Sequence, residues 1–202
     1  MNNKTLDFYN TNSEIYIETT ISIDMSNLYS EFLNSIPKGG DILDLGCGSG
    51  RDSKAFLQRG YKVTAVDGSM ELARSASKVI GQEVLVSKFE ELSLVDKYDG
   101  IWACASILHV DRRNIVDVIK NVSSNLKRNG IFYMSFKYGK DEYIDEKGRY
   151  FNCYTEESFQ EVIKEVPQLG VVKMYKSGDV LGGRESLVWL NIFLVKDLFW
   201  SN

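Results

Sequence analysis

Asp41-Ile42-Leu43-Asp44-Leu45-Gly46-Cys47-Gly48-Ser49-Gly50 is the stretch on which the fold turns. Its first half is a short apolar strand and its second half a glycine loop. Residues 51–59 continue as a helix ended by Gly60. Lys62-Val-Thr-Ala-Val66 is then a β-branched strand that runs out at Asp67. In an open parallel sheet, ligands bind beyond the carboxyl ends of the strands. Glycines there let the backbone turn tightly and approach a ligand, although they also serve a purely conformational turn. A dinucleotide site asks for G-x-G-x-x-G. Counted from Gly46 the sixth position is Arg51, and counted from Gly48 it is Ser53, so that pattern fails. What stands here is G-x-G-x-G with an acid, Asp44, two residues ahead. Asp67 lies 21 residues after Gly46, the separation of a nucleoside-binding strand–helix–strand unit. A carboxylate at that point can accept both hydrogen bonds from a ribose diol.

Outward from this unit the strand–helix alternation continues. On the N-terminal side, Met25, Leu28, Tyr29, Phe32, Leu33 and Ile36 share one helical face, capped by Asp24 and stopped by Pro37. The first 23 residues show no clear period. On the C-terminal side, Ser69 caps a helix with Glu71 in its first turn. Residues 83–87 and 98–104 read as the third and fourth strands. Asp111 opens a helix carrying Ile115, Val118, Ile119, Val122 and Leu126, and Lys-Arg-Asn-Gly130 looks like its end. Residues 131–137 are a fifth strand, and Thr155-Glu156-Glu157 starts a helix closed off by Pro167. Residues 171–176 and 187–195 are two strands with only a loop between them. A parallel pair needs a crossover of about a dozen residues, so these two are antiparallel neighbours. The expected fold is α/β: a seven-stranded, mostly parallel sheet with an antiparallel C-terminal hairpin and helices on both faces.

The 202 residues suit a single domain over 1–202, with residues 1–38 as an N-terminal cap and helix and 39–202 as an α/β core. The composition is 44% hydrophobic and 26% charged, which excludes a disordered chain. A net charge of −4 argues against a broad footprint on duplex nucleic acid. Three widely spaced cysteines (Cys47, Cys104, Cys153) form no disulfide framework, and a single histidine, His109, argues against a multi-histidine metal site. No signal peptide or membrane-length apolar run is visible, so reduced thiols in a cytoplasm are expected.

The combination of D-x-G-x-G-x-G, an acid ending the next strand and a terminal antiparallel hairpin resembles the class I S-adenosylmethionine-dependent methyltransferases over residues 40–195. Gly50-Arg-Asp-Ser53 and Gly60-Tyr-Lys-Val-Thr-Ala-Val-Asp-Gly-Ser69 look more narrowly like small tellurite-resistance-type members. The resemblance implies S-adenosylmethionine as cofactor, with S-adenosylhomocysteine as product. The loop Gly46, Cys47, Gly48 and Gly50 would pass along its methionine and ribose portions, with Asp44 beneath, near the amino group. Asp67 would hold the ribose, Gly68 and Ser69 would lie close to the adenine, and Phe89 and Glu90 would follow at the adenine edge. Many members carry an acid where Lys88 stands, so adenine contact here would fall to the Phe89 backbone. Ala105 would border the sulfonium, Arg51 the cofactor's carboxylate, and Tyr16 a lid.

Methyl transfer from a sulfonium releases a neutral thioether, so the protein mainly supplies proximity and alignment. A base is needed only where the acceptor loses a proton. His109, after the fourth strand, is the group suited to that work near neutrality, or else a hydrogen-bonded histidine at a helix start. Lys137 and Tyr138 end the fifth strand on the same rim, and Arg184 sits in the last loop. All three are candidate acceptor contacts, or a solvated strand end and a surface ion pair. Residues 139–154 form a polar, aromatic insert suited to a lid that excludes water, together with Tyr9 and Tyr16. The expected acceptor is a small molecule. A tRNA or protein acceptor, a non-catalytic cofactor-binding module and an NAD-dependent oxidoreductase are the competing readings, the last opposed by the failed glycine pattern.

Overall fold

Strand β1 (Asp41–Leu45) pairs in parallel with β2 (Lys62–Asp67) on one side and with β4 (Tyr98–Ala103) on the other, so the glycine loop leaves the centre of the sheet. The computed structural model describes residues 3–94, 97–181 and 186–196. Three helices come first: α1 (Asn3–Thr11), α2 (Ser13–Thr20) and α3 (Ser26–Leu33). Helices α4 (Arg51–Gln58) and α5 (Met70–Ile80) flank β2, and β3 (Leu85–Val86) forms one edge. After β4 come α6 (Ile115–Ser124), β5 (Leu126–Lys137), a small hairpin of β6 (Glu142–Ile144) and β7 (Tyr150–Asn152), α7 (Glu156–Lys164), β8 (Leu169–Gly178) and β9 (Val188–Lys196). The main sheet runs β3-β2-β1-β4-β5-β9-β8, and β9 alone runs against the direction of the other six strands. This is the seven-stranded architecture the sequence predicts.

The alternation of side chains along each strand builds two cores. Leu43, Leu45, Ile101 and Ala103 face one way, with Val118 and Ile119 of α6 and Phe159 of α7. Ile42, Ala65 and Trp102 face the other, with Phe32 of α3, Phe56 of α4 and Ala76 of α5. Both sheet faces are thus covered by helices, as a parallel sheet requires.

Four local expectations are corrected. The N-terminal residues without a period form α1 and α2. Of these seventeen residues only Thr5 is buried, so there is no apolar stripe to read. The helix after Asp111 begins as a 3-10 turn and stops at Ser124, and Leu126–Gly130 belongs to β5, with Asn129 at φ 65°. β3 shrinks to Leu85–Val86 at the sheet edge. The residue capping α3 is Met25, while the Asp24 carboxylate still accepts the Ser26 N–H. Ser69 and Thr155 cap their helices as expected, Ser69 accepting from the Leu72 N–H and Thr155 forming a reciprocal box with Ser158.

Candidate functional site

The glycine loop is held from below. The N–H groups of Gly46 and Cys47 both donate to the Val66 carbonyl, at 2.8 and 3.0 Å. Gly46 has φ 83°, and a Cβ there would lie 2.4 Å from the Ser106 Cβ. Gly48 has φ 55°, and a Cβ would meet the Tyr16 ring at 3.1 Å. Only glycine satisfies both the backbone and the space at these positions. Asp67 closes the loop: its carboxylate accepts from the Gly48 N–H and the Ser69 N–H, each at 2.8 Å. Burial raises its pKa to about 6 against the pull of those backbone donors. Asp44 is buried behind the loop and accepts from Ser53 Oγ at 2.6 Å. Burial first, then the nearby Asp52 charge, pushes Asp44 up to about 8. Burial also pushes the Cys47 thiol up, so it is a packing residue rather than a nucleophile.

Two cavities meet above the strand ends. The smaller, about 30 Å³, is lined by Gly46, Gly48, Asp67, Gly68, Phe89 and Ser106 on the sheet side and by Leu6, Tyr9 and Tyr16 of α1 and α2 on the other. The larger, about 670 Å³, runs from Arg51 and Cys104 across the faces of β5, β9 and β8 to the β6–β7 hairpin. Tyr9, Tyr16, Ala105 and His109 line both. Ala105 holds φ 50°, with its N–H donated to Ser135 Oγ. Lys137 lines the larger cavity, where its Nζ meets Tyr143 Oη at 2.7 Å. Ser69 sits just outside, its hydroxyl donating to Asn10 Oδ1 of α1. Glu90 is half-buried in the turn after β3, and Tyr138 lies at the end of β5, beyond both cavities, beneath Lys176. Arg184 falls outside the described residues.

His109 is buried with both ring nitrogens engaged. Nδ1 lies 2.6 Å from the Tyr150 carbonyl, which can only accept, so Nδ1 carries the proton. Nε2 therefore presents its lone pair and accepts from Tyr9 Oη at 2.9 Å. Burial lowers the histidine pKa to about 4, so it is neutral at physiological pH. The sequence reading gave Tyr9 to the lid but did not pair it with His109. No local signal reveals that contact, because the two residues are 100 apart in the chain. Asp52 was also missed. It holds Arg51 through Nε and Nη2, at 2.6 and 3.0 Å, and accepts from Trp102 Nε1 and Tyr29 Oη. Helix α1 ties the parts together: Asn10 reaches Ser69, Tyr9 reaches His109, and Thr5 Oγ1 accepts from the Tyr150 N–H of the hairpin.

Residues 42–130 match the methyltransferase-domain family. This match, the methyltransferase-named relatives and the solved neighbours together support a class I S-adenosylmethionine-dependent methyltransferase domain. It is 34% identical over 100 residues to the ubiquinone biosynthesis O-methyltransferase of Rickettsia canadensis, a match covering 47% of this chain and 42% of that one. It is 30% identical over 114 residues to YqeM of Bacillus subtilis, named as a methyltransferase, covering 51% and 46%. The chain thus spans less than half the length of these relatives. Among solved structures, the Burkholderia thailandensis 1,6-didemethyltoxoflavin-N1-methyltransferase shares the fold with a TM-score of 0.72 at 20% identity, over 95% of this chain and 84% of that one. That structure holds its acceptor and S-adenosylhomocysteine. The residues here fit the family's cofactor, S-adenosylmethionine: a glycine cradle that a Cβ would fill, and a buried carboxylate facing it. Leu6, Tyr9 and Tyr16 of α1 and α2 cover the glycine-loop cavity from the side opposite the sheet. Among the described residues no helix is long and apolar enough to cross a membrane.

Proposed function

We propose that this protein transfers the methyl group of S-adenosylmethionine to a small-molecule acceptor held in the 670 Å³ cavity. The observation that carries this reading is the junction: Tyr9, Tyr16, Ala105 and His109 line both the glycine-loop cavity and the large one. Bound at the loop, the cofactor supplies a methyl carbon on a cationic sulfur, which leaves as a neutral thioether when the acceptor's lone pair forms the new bond. Asp67 would accept from the ribose hydroxyls, and the Phe89 stretch would border the adenine. Arg51, fixed by Asp52, faces the cofactor's carboxylate. The acceptor's proton passes to Tyr9 Oη as Tyr9 hands its own proton to His109 Nε2, with Nδ1–H anchored on Tyr150. The N-terminal helices and the insert 139–154 serve as the lid of one domain, excluding water from the transfer.

A small acceptor is supported by the cavity's size, which lies in the range of small-molecule sites. It is also supported by the likeness to the Rickettsia protein, named for ubiquinone biosynthesis, and to the Burkholderia enzyme, which binds a small heterocycle. The net charge of −4 disfavours a tRNA acceptor. Three free thiols suit a reducing cytoplasm.

The test is calorimetry of S-adenosylmethionine, S-adenosylhomocysteine and NAD against the wild type and Asp67→Ala, followed by detection of S-adenosylhomocysteine release with candidate acceptors. Micromolar binding of both adenosyl ligands, none of NAD, and at least a tenfold loss in Asp67→Ala are expected. Failure of both adenosyl ligands to bind would refute the reading. Binding without transfer to any acceptor would favour a non-catalytic module.

A further inference from the structure

The floor of the large cavity is bare sheet. Cross-strand register sets Ser135 opposite Asn191 and Asn191 opposite Tyr175, while Lys137 and Ser177 both face Trp189. All of these side chains line the cavity, with Tyr133 one step further down β5. Two features of this surface stand out: the fixation of its rings and the cancellation of its charges.

Each ring is pinned by its polar tip. Tyr133 Oη donates to Asn191 Oδ1 at 2.9 Å, Tyr175 Oη to Glu31 at 2.7 Å, and Trp189 Nε1 to Asp179 at 2.9 Å. Tyr133 is packed between Trp102 and Phe193, and Lys173 lies over Tyr175, so the preorganised flat face on offer is that of Trp189, which lowers the entropic cost of stacking a flat ligand. Between the rings lies a hydroxyl and amide row. Asn191 Nδ2 donates to Ser177 Oγ at 2.9 Å. Asn191 Oδ1 has a second lone pair beyond the one used by Tyr133, and Ser177 still carries a proton to donate.

Among the described residues, the charged groups on the wall are answered within the protein, Asp24 by the Ser26 N–H. Arg51 pairs with Asp52, Arg149 with Asp145, and Glu31 with Lys173. Asp179 accepts from Trp189 and from the Leu181 N–H, and Lys137 sits on Tyr143 Oη and over the Phe151 ring. A charged ligand would have to compete with these contacts while losing its own water, a poor exchange.

Resting on the methyltransferase reading, we infer that the acceptor is an uncharged, flat aromatic or heteroaromatic molecule. It stacks on Trp189, and its polar edge is read by Asn191 and Ser177. Its reacting O–H or N–H points to the Tyr9–His109 pair. Trp189, Asn191 and Ser177 are then specificity-determining residues of the acceptor subsite, with Tyr133 as a positioning residue behind Asn191.

The full chain is first titrated with S-adenosylhomocysteine, then, saturated with it, by calorimetry with 2-naphthol, decahydro-2-naphthol, 2-naphthoate and sodium tellurite. The first pair shares one carbon skeleton and differs in aromaticity and flatness, and the naphthoate adds a charge. 2-Naphthol is expected to bind at least tenfold more tightly than the other three. Ser177→Ala, which removes a hydroxyl at an exposed position, and Asn191→Ala should each weaken it several-fold while leaving S-adenosylhomocysteine affinity within twofold. If S-adenosylhomocysteine binds but the saturated, anionic or inorganic probe binds as well as 2-naphthol, the inference is overturned and the methyltransferase reading stands. The inference is equally overturned if 2-naphthol does not bind or both variants leave its affinity unchanged. Loss of S-adenosylhomocysteine binding itself removes the reading and the inference with it.

Discussion

Replacing Asp52 with alanine removes one carboxylate and orphans three donors. The Asp52 carboxylate accepts from Trp102 Nε1 at 2.8 Å and Tyr29 Oη, and holds the Arg51 guanidinium through two nitrogens. Trp102 is 0% exposed and Tyr29 4%, so water reaches neither donor without rearrangement. A buried neutral donor left unpaired costs about 1–3 kcal/mol. Removing one partner of a buried ion pair costs about 3–5 kcal/mol. Arg51 keeps 17% side-chain exposure and borders the large cavity, so its share falls at or below the lower end of that range. The expected loss is about 4–6 kcal/mol. At about 2–4 °C per kcal/mol for a chain of this length, the melting midpoint should drop by roughly 10–20 °C. Urea melts of wild type, Asp52→Ala and Asp52→Asn measure it. The asparagine variant keeps one acceptor oxygen and should fall between the other two. A loss below about 1 kcal/mol in the alanine variant would show that water satisfies these donors and that Asp52 is not the anchor of this face.

Three further outcomes are expected. Gly48→Ala places a methyl 3.1 Å from Tyr16 at φ 55°, so S-adenosylhomocysteine affinity should fall at least tenfold. Adding Tyr16→Ala should recover part of that loss, and no recovery would mean that backbone strain alone is responsible. Asp67 titrates near 6 in the folded chain, so S-adenosylhomocysteine affinity, measured from pH 4.5 to 8, should be flat above that value and weaken below it as the carboxylate gains a proton. An affinity rising toward acid pH would contradict the ribose role. The folded pKa of His109, about 4, lies below its unfolded value of 6.5, so the unfolded chain binds the extra proton and stability falls as pH drops from 6.5 to 4. The shift is worth about 3 kcal/mol relative to His109→Asn. That variant retains Asp44 and Asp67, whose raised values work in the opposite direction, so urea melts of the pair at pH 7 and pH 4.5 isolate the histidine. Parallel losses in the two proteins would refute its burial as a neutral ring.

The legible parts of this chain were those where one residue type has one physical use. Glycines at 46, 48 and 50 between an apolar strand and a helix announced a turn that only they can make, and Asp67 closed the β2 strand where expected. The terminal pair was legible because a short loop forbids a parallel crossover. Helices α1 and α2 were not, because they are held by point contacts from Thr5, Tyr9, Asn10 and Tyr16 rather than by an apolar stripe. Leu126–Gly130 imitated a helix end, since Lys-Arg-Asn-Gly serves equally well in a strand that accommodates Asn129 at φ 65°. Asp52 beside Arg51 reads locally as a solvated helix pair, and only the approach of Trp102 and Tyr29 from other elements makes it a buried hub. Asn191 and Ser177 become a binding surface only when β8 and β9 lie in register beneath the cavity.

Helix α1 has a thermodynamic consequence. Its nine residues grip the rim of the glycine-loop cavity through Asn10, the junction histidine through Tyr9, and the hairpin over the acceptor cavity through Thr5. Whatever shifts this helix is felt by both ligands, so their binding free energies are linked. Linkage is reciprocal: the factor by which cofactor changes acceptor affinity equals the factor by which acceptor changes cofactor affinity. A helix that pays its closing cost once for two ligands makes the second to arrive bind more tightly than it would alone. On the proposed reading, such a helix favours the ternary complex, in which both reactants are enclosed, over either half-filled state.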